Sequence, residues 1–225
     1  MRKLEIALAV CSALGLLFMV VAGVAGERDR RAGAAGPAII APAEAEAMVR
    51  GLTANAVAVM NDEAMPPEER EQRLGRLLSD GFDVPLIGRF VIGRHWRAMD
   101  RAQRERYLAA FSGFLVRSYA GQLAAQRIDG VEVIGSRQAG ERDVLVETRL
   151  RRAGAAPAGL YWRVRASSNG WRVIDVVAEG ISLAVTKRQE FTTFVNASGG
   201  DITPLIARLE DGSPTAAPAR LASGS

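Results

Sequence analysis

The chain has 225 residues, 48% of them apolar, which is enough for one domain of ordinary size with a sizeable core and further segments at its ends. Its 29 Lys and Arg against 25 Asp and Glu leave a net charge of +4, spread along the chain without an aromatic-interleaved basic cluster, which argues against nucleic-acid binding. One histidine and one cysteine exclude a His/Cys metal cluster, and with Cys11 inside an N-terminal apolar run the rest of the chain has no thiol to form a disulfide.

Arg2 and Lys3 precede an uncharged run from Ile6 to Gly26, and Gly23 and Ala25 are the small residues a signal peptidase reads. Residues 1–25 are expected to be a signal peptide cleaved near Ala25. An uncleaved inner-membrane anchor is the alternative, because the run approaches spanning length. Cys11 follows Val10 rather than a small residue, so it reads as one more apolar signal residue. Either way the globular part is exported. Residues 26–42, rich in Gly, Ala, Arg and Pro, read as a flexible leader.

From Ala43 to Asn61, Met48, Leu52, Val59 and Met60 recur at helical spacing. Pro66 and Pro67, followed by Glu68 and Glu69, open a second helix that runs to about Ser79. In the apolar stretch from Phe82 to Met99, Pro85 can start a helical turn and Gly93 can end it. Asp100 is a plausible N-cap for the longest helix, Arg101 to about Ala125. On it Tyr107, Phe111, Phe114, Leu115, Tyr119 and Leu123 advance in steps of three and four.

After Gly130 the period falls to two. Val131–Ser136, Val144–Arg151, Gly159–Ser167 and Trp171–Ala178 read as strands, with turns at Gly140, Gly154–Pro157 and Asn169–Gly170. Simple alternation in the last strand puts Trp171, Val173 and Val177 on one face and Ile174 and Val176 on the other. Short links favour an antiparallel meander. Ser182 can cap a helix from Leu183 to Ala197, and a last helix covers Thr203 to Leu209. Residues 43–210 thus form one α+β domain, with a curved antiparallel sheet of about four strands covered by N- and C-terminal helices. Residues 211–225 are expected to be a disordered tail.

Little in this pattern points to catalysis or to a cofactor. His95 reads as a turn residue packed beside Trp96, and Gly88 and Gly93 lack the context of a phosphate loop. Asp175 and Glu179 form a possible acid/base pair, but Arg163, Arg165 and Arg172 are at hand to neutralise an acidic strand residue. The distinctive feature is apolar supply on both strand faces and along the long helix. It suits either a packed core or a concave ligand site, and pattern alone leaves both open.

Two stretches carry a family resemblance. The first is Gly93-Arg94-His95-Trp96-Arg97, with Gln103-Arg104 and Phe111 through Phe114-Leu115 to Tyr119 and Leu123. The second is Leu160-Tyr161-Trp162-Arg163-Val164, then Gly170-Trp171-Arg172-Val173-Ile174-Asp175-Val176, Glu179 to Leu183, and Arg188 to Phe191. With these the chain resembles the MlaC, or toluene-tolerance, family of periplasmic lipid-binding proteins over about Ala43 to Leu209. His95 departs from the aromatic residue expected there. The segments Phe82-Asp83-Val84-Pro85 and Arg89 to Gly93 look closer to the hopanoid-associated HpnM branch.

The resemblance implies an NTF2-like sheet and helices enclosing an apolar cavity. It implies a non-enzymatic periplasmic shuttle that carries phospholipid between inner and outer membranes as the soluble part of an ABC-type lipid transport system. An inner-membrane ABC-type complex and an outer-membrane lipoprotein would be its partners. A hopanoid carrier, a small enzyme using Asp175 or Tyr119, and a non-binding structural envelope module are the alternatives. The expected lipid-binding residues are Phe90, Trp96, Phe111, Leu115 and Tyr119 from the helices and Val144, Val146, Trp162, Val164, Trp171 and Val173 from the sheet. Arg97, Arg163 and Arg188 are the head-group candidates. A one-residue error in strand facing would flip the sheet set.

Overall fold

The computed structural model describes residues 42–167 and 170–212. The expected signal peptide, nearly all of the leader and tail, and the Ser168–Asn169 turn lie outside these residues. The element order is α1 (Pro42–Asn61), α2 (Pro67–Gly81), α3 (Val84–Ile92), α4 (His95–Ala98), α5 (Arg101–Ala124), β1 (Gly130–Gln138), β2 (Asp143–Arg151), β3 (Ala158–Ser167), β4 (Gly170–Ala178), β5 (Ile181–Ser182), α6 (Leu183–Ala197) and α7 (Thr203–Asp211). The expected α+β meander is present, with a two-residue fifth strand added, and the strands lie side by side in chain order, all antiparallel.

Local chemistry sets the helix starts. Pro67 opens α2, with Glu68 and Glu69 in its first turn. Asp83 accepts from the Leu86 amide at 3.0 Å, and Gly93, at φ 59°, closes α3 in a backbone region that favours glycine. Asp100 and Gln103 cap α5 reciprocally, at 2.8 and 3.0 Å. Ser182 caps α6 through the Val185 amide at 3.1 Å. Asp175 adds to that cap, accepting from Ser182 Oγ at 2.6 Å and the Ala184 amide at 3.1 Å. It therefore anchors a helix, where the sequence suggested an arginine partner.

Two irregularities shape the sheet. Between Val133 and Gly135 the register of β1 against β2 shifts, turning Ile134 outward to 42% exposure. In β4 a second shift skips Ile174, so Val164 opposes Val173 while Trp162 opposes Val176. Simple alternation therefore fails there. The extra residue brings Val176 and Ala178 to the same face as Val173 and sends Val177 to the other. Phe82 and Asp83 bridge the edge of β4 at Val173, with the Asp83 amide donating to the Val173 carbonyl at 2.9 Å.

The apolar residues collect in three clusters. The rings of Tyr107, Phe111, Phe114 and Phe191, with Val91, Leu205, Ile206 and Leu209, join α3, α5, α6 and α7. Met60, Leu74, Ala120, Ile128, Leu150, Leu160 and Ala178 join the far ends of α1 and α5 to α2 and the sheet. Ala45 and Val49 of α1 seal Val144, Val146 and Val164 at the other end of the sheet. On the opposite sheet face Asp143, 3% exposed, accepts from Arg163 at 2.7 Å and from Arg165 at 2.6 Å. Burial pushes this carboxyl up, but the hydrogen bonds and charges of Arg165 and Arg163 outweigh it and hold it below its ordinary value.

Two substitutions test this framework by urea unfolding. Asp143→Asn is expected to destabilise the domain by about 1–3 kcal/mol at pH 7, since it removes the charge from a buried acceptor of ionic hydrogen bonds. Because the folded-state carboxyl is held low, its contribution is present above the unfolded carboxylate range and lost as pH falls through the folded value. The difference from wild type should therefore shrink below about pH 4. Tyr107→Phe removes a buried phenol that donates to the Gly88 carbonyl at 2.9 Å, and should cost about 1–2 kcal/mol.

Candidate functional site: a carbon-lined cavity

Between the aromatic cluster and the sheet the side chains do not close up. They leave a cavity of about 230 Å³ whose wall is carbon almost throughout. Protein interiors rarely hold voids much larger than a water molecule, whose share of liquid is about 30 Å³, so this space departs from ordinary packing. Leu52, Ala56, Val57 and Met60 of α1 and Leu74, Leu77 and Leu78 of α2 form one side. Val84, Ile87 and Val91 of α3 and Leu183, Ala184 and Lys187 of α6 form another. Helix α5 crosses with Phe111, Leu115, Val116, Tyr119 and Leu123, and the sheet supplies Val131, Leu150, Leu160, Trp162, Ile174 and Val176.

Four of the expected lipid-binding residues meet on this wall: Phe111, Leu115, Tyr119 and Trp162. Trp162 is aimed by its indole, which donates to the buried Thr148 hydroxyl at 2.8 Å, and by an edge-on contact with Phe82 at 6.5 Å. Tyr119 retains accessible surface while lying far from bulk water, which fits a ring bordering the internal space. Desolvation, with Glu190 nearby, pushes its phenol well above the ordinary value, so it stays neutral.

The remaining expected residues lie elsewhere. Val144, Val146 and Val164 are on the concave face, but Ala45 and Val49 of α1 cover that end of it completely. Val173 is fully buried behind the Phe82 bridge. Trp171 packs beside the valines and donates to Glu44 at 3.0 Å. Trp96 packs edge-on against Tyr107 at 6.4 Å, between the guanidinium groups of Arg89 and Arg104. Phe90 faces outward at 40% exposure, with Arg188 over its ring at 5.0 Å.

None of the three head-group candidates reaches the cavity. Arg163 is committed to Asp143, Arg188 covers Phe90 on the outer surface, and Arg97 is exposed on α4. The cations on the wall are Arg152 and Lys187. Lys187 is held by Glu190 at 2.7 Å and lies over the Phe114 ring at 5.8 Å. Periodicity had a usable signal for Leu150 and Leu160, which continue the faces of Val146 and Trp162. It had none for α1 and α2, whose inner residues look like any amphipathic helix.

His95 sits in the single turn of α4, where desolvation and then the Arg94 charge lower its pKa. Among the described residues no group of three His, Cys, Asp or Glu could hold a metal ion. No helix among them is long and apolar enough to cross a membrane.

Comparisons with known proteins agree with this architecture. The chain is 24% identical over 132 residues to the intermembrane phospholipid transport system binding protein MlaC of Haemophilus influenzae, covering 57% of this chain and 61% of that relative's length. A solved structure of a phospholipid-binding protein from Ralstonia solanacearum, in complex with a phospholipid, superposes with a TM-score of 0.66. It is 25% identical, over 75% of this chain and 96% of the other. The family model described as MlaC protein matches residues 50–211, well over half of the sequence. The chain belongs to the MlaC family.

Proposed function

We propose that this protein is a non-enzymatic lipid carrier whose acyl-chain site is the cavity beneath α5. The observation that carries this reading is a roomy, nearly all-carbon cavity in a chain of the MlaC family, built like a protein solved with a phospholipid bound. Acyl chains gain about 0.8 kcal/mol per methylene moved out of water, so a carbon wall alone supplies the driving force. Phe111, Leu115, Tyr119 and Trp162 contact the tails, joined by Val57, Leu77, Leu150 and Leu160. Lys187 and Arg152 are the wall's cations and the natural partners of a phosphate at the rim.

In this reading residues 1–25 direct export, and the protein works in the periplasm between inner and outer membranes. It meets an inner-membrane ABC-type lipid transport complex and, on the other side, an outer-membrane lipoprotein. The resemblance of residues 82–93 to the hopanoid-associated branch keeps a polycyclic lipid as the second candidate cargo. Such a cargo needs the same carbon wall but no phosphate partner.

Native mass spectrometry of protein purified without detergent from a periplasmic fraction tests the proposal. A bound species of lipid mass is expected, and its fragmentation separates diacyl phospholipid from hopanoid. A ligand-free mass that persists after incubation with envelope lipids would overturn it. Filling the space supplies the matching substitution test. Leu115→Trp, or Val57→Trp as an independent variant from another helix, should lower lipid occupancy by at least about fivefold with an unchanged circular dichroism spectrum. Full occupancy in a folded variant would move the site elsewhere.

A further inference from the structure

The two helices that wall the cavity on one side, α3 and α6, turn an unusual face outward. Of the four large apolar side chains that stand exposed among the described residues, Phe90 is on α3, Val185 is on α6 and Ile181 lies in β5, two residues before α6; Ile134 lies elsewhere. Phe90, Val185, Arg188, Gln189, Thr192 and Thr193 border a shallow groove. Arg188 stands in it, and Arg89 on α3, Arg97 on α4 and Arg94 in the turn between them are exposed. Arg188 stacks over Phe90, Arg89 stacks over Trp96, and Arg94 donates to Asn196 at 2.8 Å. None of the four makes an ion pair among the described residues.

The charge on this face is one-sided. Across α3, α4 and α6 the sole carboxylate is Glu190, which is half-buried and held by Lys187. Asp83, Asp100 and Asp175 border these helices but are used as helix caps, and Glu179 in the turn before β5 is the exposed acid nearest Ile181. Elsewhere some arginines are answered by acids, as in Arg73–Glu69, Arg101–Glu105, Arg106–Glu210 and the Asp143 pair. Others, such as Arg149 and Arg151 on β2, stand on the surface without an exposed large apolar side chain on the same strand. Guanidinium groups interleaved with isolated apolar side chains, on the outside of helices, match the boundary between anionic head groups and acyl chains.

We propose that the outer face of α3 and α6 is a docking surface for an anionic phospholipid bilayer. The proposal rests on the carrier reading for its purpose. A lipid tail leaving the cavity through water would lose its burial, so the cavity, walled here by Val84, Ile87, Val91, Leu183 and Ala184, has to be held close to the surface that takes the lipid. The same two helices present that wall inward and Phe90, Val185 and Arg188 outward, so docking brings cavity and membrane together. Binding is electrostatically steered and shallow, which allows release after exchange.

Co-sedimentation with vesicles tests docking independently of cargo. The mature protein recovered from a periplasmic fraction is mixed with vesicles of phosphatidylglycerol and phosphatidylcholine, or of phosphatidylcholine alone, at low and high salt. The expected result is partitioning onto the anionic vesicles only, weakened by salt. Phe90→Ser with Val185→Ser, and separately Arg89→Gln with Arg188→Gln, should each lower partitioning at least about threefold. Both are expected to leave lipid occupancy by native mass spectrometry unchanged, which also certifies the fold. Arg149→Gln with Arg151→Gln, exposed on β2, is the charge-matched control and should change it little. Absence of binding to anionic vesicles at low salt overturns the proposal and leaves an acidic protein surface as the partner to seek. Equal losses in the control and the α3/α6 variants overturn it too, because they reduce the effect to net charge. If the vesicles bind a protein that carries no lipid, docking stands and the carrier reading falls.

Discussion

Helix α5 is gripped at one end by aromatic rings. Tyr107 and Phe111 stack at 5.8 Å, Phe191 meets Phe111 and Phe114 edge-on at 6.1 and 6.2 Å, and the Tyr107 phenol is tied to the Gly88 carbonyl. At its other end Ala120 sits in a second buried cluster with Leu74 and Ile128. Along the same side Leu115, packed against the first cluster, Tyr119, and Leu123, packed against the second, border the cavity. A void of this kind gives up dispersion contacts and survives only where its walls cannot collapse onto it. The two grips on α5 are what prevent that collapse.

The sheet supplies the other rigid wall, and its irregularities matter as much as its regular part. The shift in β4 keeps Val173 and Val176 on the same face, so one strand serves both the Phe82 contact and the cavity. Helix α1 divides the concave surface. Its first turns lie on Val144, Val146 and Val164, while its later residues Leu52, Ala56, Val57 and Met60 turn toward the cavity. Apart from Lys187–Glu190 at the wall, the ion pairs among the described residues lie on the opposite sheet face and the periphery. That separation suits a site that works by excluding water rather than by stabilising charge.

In the proposed carrier the layer that hides the tails is also the layer that meets whatever takes them. Here α3 and α6 are single-layer walls, with Ile87 and Ala184 inside and Phe90 and Val185 outside. No bulky second layer stands between the cavity and that exposed face. The polar chemistry of the protein is correspondingly modest: Asp175 holds a helix start, Tyr119 stays neutral and His95 sits in a single helical turn.

Much of this was legible in the chain itself. Capping residues Asp100 and Ser182, the Pro66-Pro67 start and the change of period after Gly130 located the elements to within a few residues, because these signals act through neighbouring backbone groups. The aromatic stripe on α5 and the quoted motifs pointed to the family and to Phe111, Leu115, Tyr119 and Trp162. Periodicity put Val144 and Val146 on one face of their strand and Val164 with Trp162 on one face of the next, without saying which face is concave. Only the tertiary structure decided that α1 would cover these three and leave Leu150 and Leu160 to the cavity, since one apolar face looks the same whether protein or ligand fills the space before it. The shift at Ile174 and the outward turn of Phe90 were likewise hidden, because they depend on strand pairing and helix packing between residues far apart in the chain.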